Sequence, residues 1–215
     1  MPLTKVQADQ TAFTPSGTGA TVRTIDSKLE DFVSVKDFGA VGDGVTNDAT
    51  AIQNALNSGA KRIYIPANNY LISTQLTVPT AVTVYGDGGG TVDFSTKLIY
   101  SGTSDAIDIS GTSGDANRKI VLKDFKVECT SSAASAIKMT SIRECVLENI
   151  SVQDAGTATT GFKIEATENF GVYVNTFRNC EAVGFTTGLS INGDTTNSGT
   201  RRANSNDFYG CRFDS

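Results

Sequence analysis

The sequence predicts an all-β fold in which the chain winds into a parallel β-helix. Two interleaved families of short strand patterns indicate this fold, and both recur at intervals of 25 to 31 residues. Such a period is typical of solenoid proteins, in which each repeat buries its apolar face against its neighbours. The 215 residues are enough for one sizeable domain with a small appendage.

The first family is a six-residue pattern with apolar residues at positions one, four and six and polar residues at positions two and five. Its members are Leu122–Val127, Leu147–Val152, Phe177–Ala182 and Phe208–Phe213, whose first residues lie 25, 30 and 31 residues apart. A regular strand alternates between its two faces, so this strand must bend between positions three and four. Asn, Asp or Gly fills position three in every member, and these residues tolerate the left-handed conformation that such a bend uses.

The second family consists of short apolar strands between the members of the first: Ala106–Ile109, Ala136–Met139, Gly161–Ile164 and Gly188–Ile191. We expect successive turns of the chain to stack in register, so that spacing along the chain becomes height along one axis. Position four then forms an inward column, which contains Phe125, Ile150, Cys180 and Cys211. Positions two and five form outward columns, which contain Lys123, Glu148, Arg178 and Tyr209, and Lys126, Ser151, Glu181 and Arg212. Because opposite charges alternate there, we interpret Glu148 and Glu181 as structural residues rather than as catalytic carboxylates.

Before the repeats, residues 34–60 predict a strand, a glycine-rich turn and a helix. Thr46, Asn47 or Asp48 can cap the helix, which is predicted over Ala49–Ser58. Its apolar face contains Ala49, Ile52, Ala55 and Leu56, and Gly59 stands at its C-terminal end. The turn lacks the Lys-Ser/Thr pair of a P-loop and the dinucleotide fingerprint, which argues against phosphate binding. Further upstream, residues 22–26 indicate a short strand and residues 27–32 a turn of helix.

Composition excludes several classes of function. The chain contains no histidine, which excludes His-based catalytic triads, His zinc sites and imidazole acid–base chemistry. A net charge of -5 argues against nucleic acid as a partner. No apolar run is long enough for membrane insertion, and no secretory signal is visible. We expect no cofactor and no metal site, since no calcium-binding loop is present.

The four cysteines are Cys129, Cys145, Cys180 and Cys211. Their spacing fits neither a zinc ribbon nor a dense disulfide scaffold. We expect them to be reduced thiols that are buried as small apolar groups, with a disulfide as the alternative. Cys180 and Cys211 are neighbours in the predicted inward column, so their thiols can lie close together without a bond.

The glycine-rich turn resembles a known entry motif. Its matching residues are Asp37, Phe38, Gly39, Ala40, Gly42, Asp43, Gly44, Asn47 and Asp48. Together with Ile63–Ala67 and Val84–Gly88, this segment resembles the start of the pectate-lyase-like right-handed β-helix superfamily. Within that superfamily, Thr21–Leu29 and Val33–Val35 are similar to segments of bacteriophage tailspike and tail-fibre proteins.

The resemblance implies a right-handed β-helix in a homotrimeric virion protein of the phage tail, synthesised in the host cytoplasm. Residues 1–35 would attach to a tail, baseplate or adaptor protein. Residues 36–60 would form a turn and a helix that cap the N-terminal end of the coils. Residues 61–215 would form coils that bind, and often cleave, host surface polysaccharide. Because little follows the last six-residue pattern, we expect either a fragment of a longer protein or a partner subunit that covers the final coil.

An enzymatic alternative is a polysaccharide depolymerase, a glycoside hydrolase or lyase acting on capsule, lipopolysaccharide or a pectin-like glycan. Hydrolysis needs two carboxylates about 5–9.5 Å apart. The acids outside the charged columns include Asp105, Asp108, Glu165, Glu168 and Asp194. Glu165 and Asp194 each follow a strand of the second family, so stacking would place both on one flank as candidate catalytic residues. The alternative is that they are ordinary surface acids, and we expect this chain alone to lack catalytic activity.

Overall fold

The protein is described by a computed structural model that covers residues 7–88, 96–110, 119–166, 171–193 and 203–214. Most of these residues form a β-solenoid of about 5 turns. Three sheets run along its length, and each sheet takes its strands from successive turns. The strands of successive turns pair in parallel. The predicted parallel β-helix is therefore confirmed.

A short extension over residues 7–32 precedes the solenoid. It contains a 3-10 helix at Ala8–Gln10, the antiparallel strands β1 (Ala12–Phe13) and β2 (Arg23–Thr24), and the helix α1 (Ile25–Leu29). The helix starts earlier than the sequence predicts, because the Thr24 hydroxyl accepts a hydrogen bond from Ser27 N at 3.1 Å. None of the side chains described in this extension is buried.

The three sheets of the solenoid divide the remaining strands among them. The first sheet contains β3 (Val33–Ser34), β5 (Arg62–Tyr64), β8 (Thr83–Tyr85), the first half of β11 (Val121–Cys129), the first half of β13 (Val146–Asp154), β16 (Thr176–Arg178) and β20 (Asp207–Tyr209). The second sheet contains β4 (Asp43–Asn47), β6 (Asn69–Ile72), β9 (Lys97–Tyr100), the second halves of β11 and β13, β17 (Glu181–Val183) and β21 (Arg212–Phe213). The third sheet contains β7 (Leu76–Thr77), β10 (Ile107–Ser110), β12 (Ser135–Thr140), β14 (Thr160–Glu165) and β18 (Thr187–Asn192). A separate parallel pair contains β15 (Val172–Tyr173) and β19 (Ala203–Asn204).

The register between turns agrees with the predicted columns. Phe125 pairs with Ile150 across β11 and β13. Cys180 and Cys211 continue this inward column, because the residues that follow Ile150, Cys180 and Cys211 pair with one another in turn. Apolar side chains of all three sheets meet inside the solenoid and form its core. The largest fully buried side chains include Tyr70, Tyr100, Phe125, Phe162, Phe177 and Phe185.

The bend inside each six-residue pattern has the predicted conformation. Its φ angle is 63° at Asp124, 52° at Asn149, 50° at Asn179 and 62° at Gly210. Asn, Asp and Gly adopt this left-handed region more readily than other residues. The strand can therefore turn from the first sheet into the second without a loop.

A second column of residues has the left-handed backbone conformation, although their residue types do not indicate it. It lies two residues before the strands β8, β11, β13, β16 and β20, and the strand register stacks its members. Its members are Ala81, Lys119, Glu144, Val174 and Ser205, with φ between 54° and 65°. None of them is Asn or Gly, so the stacking of neighbouring turns imposes this conformation against local preference.

The helix α2 (Ala49–Leu56) packs against β7, and its buried side chains are part of the core. Its buried residues are Ala49, Ile52, Ala55 and Leu56, as the sequence predicts. The helix ends two residues earlier than predicted, at Leu56, and Gly59 then turns with φ 85°. Gln53 Oε1 accepts a hydrogen bond from Thr77 N at 2.9 Å, and Gln53 Nε2 donates to Thr77 O at 3.0 Å. The Gln53 amide thus pairs with β7 as a neighbouring strand would.

The glycine-rich turn contains more regular structure than the sequence predicts. A 3-10 helix at Val35–Phe38 follows β3, and Gly39 ends it with φ 89°. The segment Asp43–Asn47 forms the strand β4, because it pairs with β6 of the first full turn. The turn therefore already belongs to the second sheet.

Asp48 holds the turn together. It stands at the N-cap position of α2, yet its carboxylate points back and accepts hydrogen bonds from Val41 N at 2.7 Å and Gly42 N at 2.9 Å. Asn47 Oδ1 accepts the Ala49 N–H instead, at 3.2 Å. Asp48 is only 1% exposed, so the two N–H groups of the turn have little access to water as a replacement partner.

We expect Asp48→Ala to lower the free energy of unfolding by about 2–3 kcal/mol, because two backbone donors would lose their partner in a buried site. Chemical denaturation followed by circular dichroism measures this loss. Asp43→Ala is the matched control, since exposed Asp43 accepts hydrogen bonds from Val45 N and Thr46 N that water can replace. Equal losses for the two variants would contradict the role assigned to Asp48.

A second prediction concerns the backbone conformation at Val174. Its φ is 56°, and β-branched residues are the least suited to the left-handed region. We expect Val174→Asn to raise the free energy of unfolding by about 1 kcal/mol. Val45→Asn is the control, because Val45 is also exposed but has no positive φ. A gain of the same size at Val45, measured by the same denaturation, would show that strain is not the cause.

Candidate functional site

A polar groove follows the corner between the first and second sheets. Its volume is about 320 Å³. It runs over the bends at position three of the six-residue pattern, so each of several turns contributes to it. The residues that line it are Gly88, Asp124, Asn149, Ile150, Ser151, Asn179, Cys180, Glu181, Gly210 and Arg212.

The side chains at the bends form a ladder of hydrogen bonds. Asn149 Nδ2 donates to Asp124 Oδ1 at 2.8 Å, and Asn179 Nδ2 donates to Asn149 Oδ1 at 3.2 Å. A carboxylate only accepts, whereas a carboxamide both donates and accepts. Asp124 therefore stands at one end of the ladder, and every amide donates in the same direction along the axis.

The ladder stops at Gly210, the next residue in the column. A Cβ atom at Gly210 would lie 2.8 Å from Asn179 Oδ1. Because glycine has no side chain, the next turn supplies no side-chain donor to this oxygen. Asn179 is exposed, so a hydroxyl group of a ligand in the groove can donate a hydrogen bond to it.

The column at position five forms one side of the groove. Ser151 Oγ donates to Glu181 Oε1 at 2.8 Å, and Glu181 pairs in register with Arg212. Arg212 forms an ion pair and a hydrogen bond with Asp214. The hydrogen bond raises the pKa of the Arg212 guanidinium above its usual value. The groove thus combines carboxylate, amide, hydroxyl and guanidinium groups. These are groups that form hydrogen bonds with the hydroxyl substituents of sugars.

The outward column at position two has the predicted order. Its neighbours in register are Lys123, Glu148, Arg178 and Tyr209. Lys123 also lies 3.7 Å from Asp124 of the ladder, so this column and the groove share charged groups. Tyr209 is uncharged and stands last in this column, where it is 56% exposed.

An aromatic pair extends this column toward α2. Tyr64 and Tyr85 pair in register, and their rings stack with centroids 5.2 Å apart. The Tyr64 hydroxyl donates to Asp87 Oδ2 at 2.6 Å, and this hydrogen bond raises the pKa of Tyr64 to about 12. Asp87 Oδ2 also accepts the Ala67 N–H at 2.8 Å, which fixes the turn after β5.

The candidate catalytic residue Glu165 lies at the end of β14 in the third sheet. Its carboxylate is 2.7 Å from Lys163 Nζ and 3.7 Å from Lys138 Nζ. Lys138 Nζ is also 3.6 Å from Asp105. Glu165 is thus part of an ionic network. Lys163 lies two residues away in the same strand, whereas Lys138 belongs to β12 of the neighbouring turn, and neither contact is predicted from the sequence. Asp194 lies outside the described residues, so its pairing with Glu165 stays a prediction.

Two further properties concern the described part of the chain alone. Within residues 7–88, 96–110, 119–166, 171–193 and 203–214, no group of three or more His, Cys, Asp or Glu residues could hold a metal ion. In the same ranges, no helix has the length and apolar character that crossing a membrane requires.

The sequence predicts the residues at position three only as bends, and the groove above them is not predicted. The signal for it is present in the pattern itself. A bend requires a residue that tolerates positive φ, and a glycine in every turn would be sufficient for that. Asp124, Asn149 and Asn179 add a polar side chain in three successive turns, which indicates that the side chains have a use of their own.

The comparisons with known proteins agree with this architecture. Residues 32–209 match the family described as rhamnogalacturonase A/epimerase, pectate lyase-like. The pre-neck appendage protein of Bacillus phage B103 is 31% identical over 109 residues, which cover 50% of this chain and 12% of that protein. The capsule K30/K69-specific Depolymerase 1 of Klebsiella phage K5-2 is 34% identical over 91 residues, which cover 41% of this chain and 12% of that protein. The chain thus spans 12% of the length of each of these two relatives.

Among solved structures, tailspike protein 3 of bacteriophage CBA120 superposes with a TM-score of 0.68 at 17% identity. The superposition covers 95% of this chain and 32% of that chain. At this identity the likeness concerns the fold. The family match covers most of the chain, including the glycine-rich turn and the repeats. The chain therefore belongs to the rhamnogalacturonase A/epimerase, pectate lyase-like family.

Proposed function

We propose that this protein is a tailspike or tail-fibre component of a phage virion and that its β-helix binds a polysaccharide of the host surface. The observation that supports this best is the polar groove, in which successive turns offer equivalent hydrogen-bonding groups. A polysaccharide is a repeating chain, so it can contact one set of groups per turn. The names of the relatives, a pre-neck appendage protein and a capsule depolymerase of phages, support the same function.

The chemistry of the groove indicates which glycans fit. Successive turns are about 4.8 Å apart, which is close to the length of one sugar unit in an extended chain. Asp124 and Glu181 supply carboxylates, and the whole chain has a net charge of -5. An acidic surface repels a polyanion, particularly at low salt. We therefore propose a glycan that is rich in free hydroxyls and carries few negative charges.

Residues 1–35 are proposed to attach the protein to a tail, baseplate or adaptor protein, in a homotrimer made in the host cytoplasm. The extension supports this because it has no core of its own. Its large apolar side chains are exposed: Phe13 by 37%, Val22 by 66%, Leu29 by 53% and Phe32 by 49%. Apolar groups clustered at the surface of a small segment favour burial against another chain.

The groove is tested with Asn179→Gly, which removes the exposed amide and keeps a residue suited to the left-handed bend. We expect affinity for the bound glycan to fall about tenfold, because the ligand loses at least one hydrogen bond. The measurement is isothermal titration calorimetry with a polysaccharide selected on an array of bacterial capsules and lipopolysaccharide O-chains.

Asn192→Gly is the matched control for that experiment. Asn192 is also exposed and ends β18 of the third sheet, away from the groove. We expect its affinity to match that of the unmodified protein. Loss of binding in Asn192→Gly with full binding in Asn179→Gly would move the site to the third sheet.

Cleavage of a glycan at the third sheet, outside the groove, is a second candidate function, favoured by the relative that is named a depolymerase. Glu165 and Asp194 are the proposed catalytic residues. Glu165 lies within ion-pair distance of two lysine ammonium groups, and its proposed role is that of a base or a nucleophile. Asp194 would then supply the second carboxyl group that glycoside hydrolysis requires.

We expect Glu165→Gln to lower the release of reducing ends from a polysaccharide substrate at least 100-fold, as loss of an acid–base residue does. Asp194→Asn is expected to give a similar loss. Glu148→Gln, in the outward column of the first sheet, is the control and retains activity. Full activity in Glu165→Gln, with unchanged circular dichroism, would remove Glu165 from the mechanism.

A further inference from the structure

Two cysteines occupy neighbouring positions inside the solenoid. Cys180 lies between β16 and β17, and Cys211 lies between β20 and β21, one turn further along the axis. Arg212 N donates to Cys180 O at 2.9 Å, so the two segments are directly hydrogen-bonded neighbours. Parallel neighbours lie about 4.8 Å apart, and disulfides join Cα atoms that are about 4.4–6.8 Å apart.

The two thiols differ in their access to solvent. Cys180 is 1% exposed, and its Sγ lies 3.4 Å from both Leu147 O and Arg178 O. Burial raises the pKa of Cys180 to about 12, and a hydrogen bond with the Cys211 thiol adds to the shift. Cys211 is half-buried at the edge of the core, with its Sγ 3.6 Å from Tyr209 O. An accessible thiol thus contacts a protected one.

The other two cysteines have no cysteine neighbour in register. Cys129 pairs with Tyr100 on one side and with Asp154 on the other. The backbone N–H of Cys145 donates a hydrogen bond to Asn175 Oδ1 in the next turn, at 3.0 Å. Burial raises the pKa of Cys129 to about 12 and that of Cys145 to about 11. Both are therefore internal references for thiols that stay reduced.

We propose that Cys180 and Cys211 form a disulfide when the protein meets a small-molecule disulfide such as oxidised glutathione. In the first step the Cys211 thiolate attacks the small disulfide, forms a mixed disulfide and releases one small thiol. In the second step the Cys180 thiol loses its proton and attacks the Cys211 sulfur, which releases the second small thiol. The protein loses two electrons and two protons, and the small disulfide gains them.

The position of the pair allows this bond with little rearrangement. The strand β21 is two residues long and pairs with β17 on one side among the described residues. A strand of two residues can shift by a fraction of an ångström to bring the two Cβ atoms to disulfide distance. The bond would join two successive turns covalently at the end of the groove.

The test uses the unmodified protein, incubated with oxidised glutathione or with a reductant. We expect the number of free thiols after denaturation to fall from four to two, without added glutathione mass. Peptide mapping is expected to recover one peptide that links Cys180 to Cys211. The oxidised protein should unfold at a higher temperature, because a bond between two turns restricts the unfolded chain.

Variants separate this outcome from general oxidation. Cys129→Ala should lose two of its three thiols, whereas Cys211→Ser should keep all three. Four free thiols in the treated protein, a lasting glutathione adduct on Cys211, or a disulfide between two chains would each overturn the proposal. None of these results depends on glycan binding, so the proposed function is tested separately.

Discussion

The stacking of equivalent residues in successive turns is the constraint on which the rest of this structure depends. Backbone hydrogen bonds between parallel strands fix the register, and the register then decides which side chains meet. For this reason Phe125 lies over Ile150 inside the solenoid. The charged residues on its outside stack on one another in the same way. Each turn is too small to have a core of its own, so stability comes from contacts between neighbouring turns.

The same constraint joins fold and candidate function. The bend at position three is required by the geometry of the solenoid, and any residue that tolerates positive φ would satisfy it. Asp124, Asn149 and Asn179 satisfy it and also form a directed ladder along the surface. The candidate binding surface therefore consists of residues that the fold already holds in place, an arrangement that lowers the entropy cost of binding a ligand.

Much of this architecture could be predicted from the sequence, because side chains at period-specific positions reveal which face is buried. The strands, the inward column and the buried face of α2 were all predictable in this way. The second left-handed column was not, since Ala81, Lys119 and Glu144 have no local preference for that conformation. The ion pair of Glu165 with Lys138 was also not predictable, because Lys138 lies in another turn and the distance between the two charges depends on side-chain conformation.

The contact between Gln53 and Thr77 has a consequence for self-association. An exposed β-strand edge presents unpaired N–H and C=O groups, and a second molecule can add its own strand there. Solenoids are especially prone to this, because their two ends are complementary and copies could join head to tail into a filament. The carboxamide of Gln53 occupies both backbone groups of Thr77, and α2 covers the apolar layer beside it. At the β7 edge, one side chain and one helix therefore occupy the groups to which a strand of a second copy would have to bond.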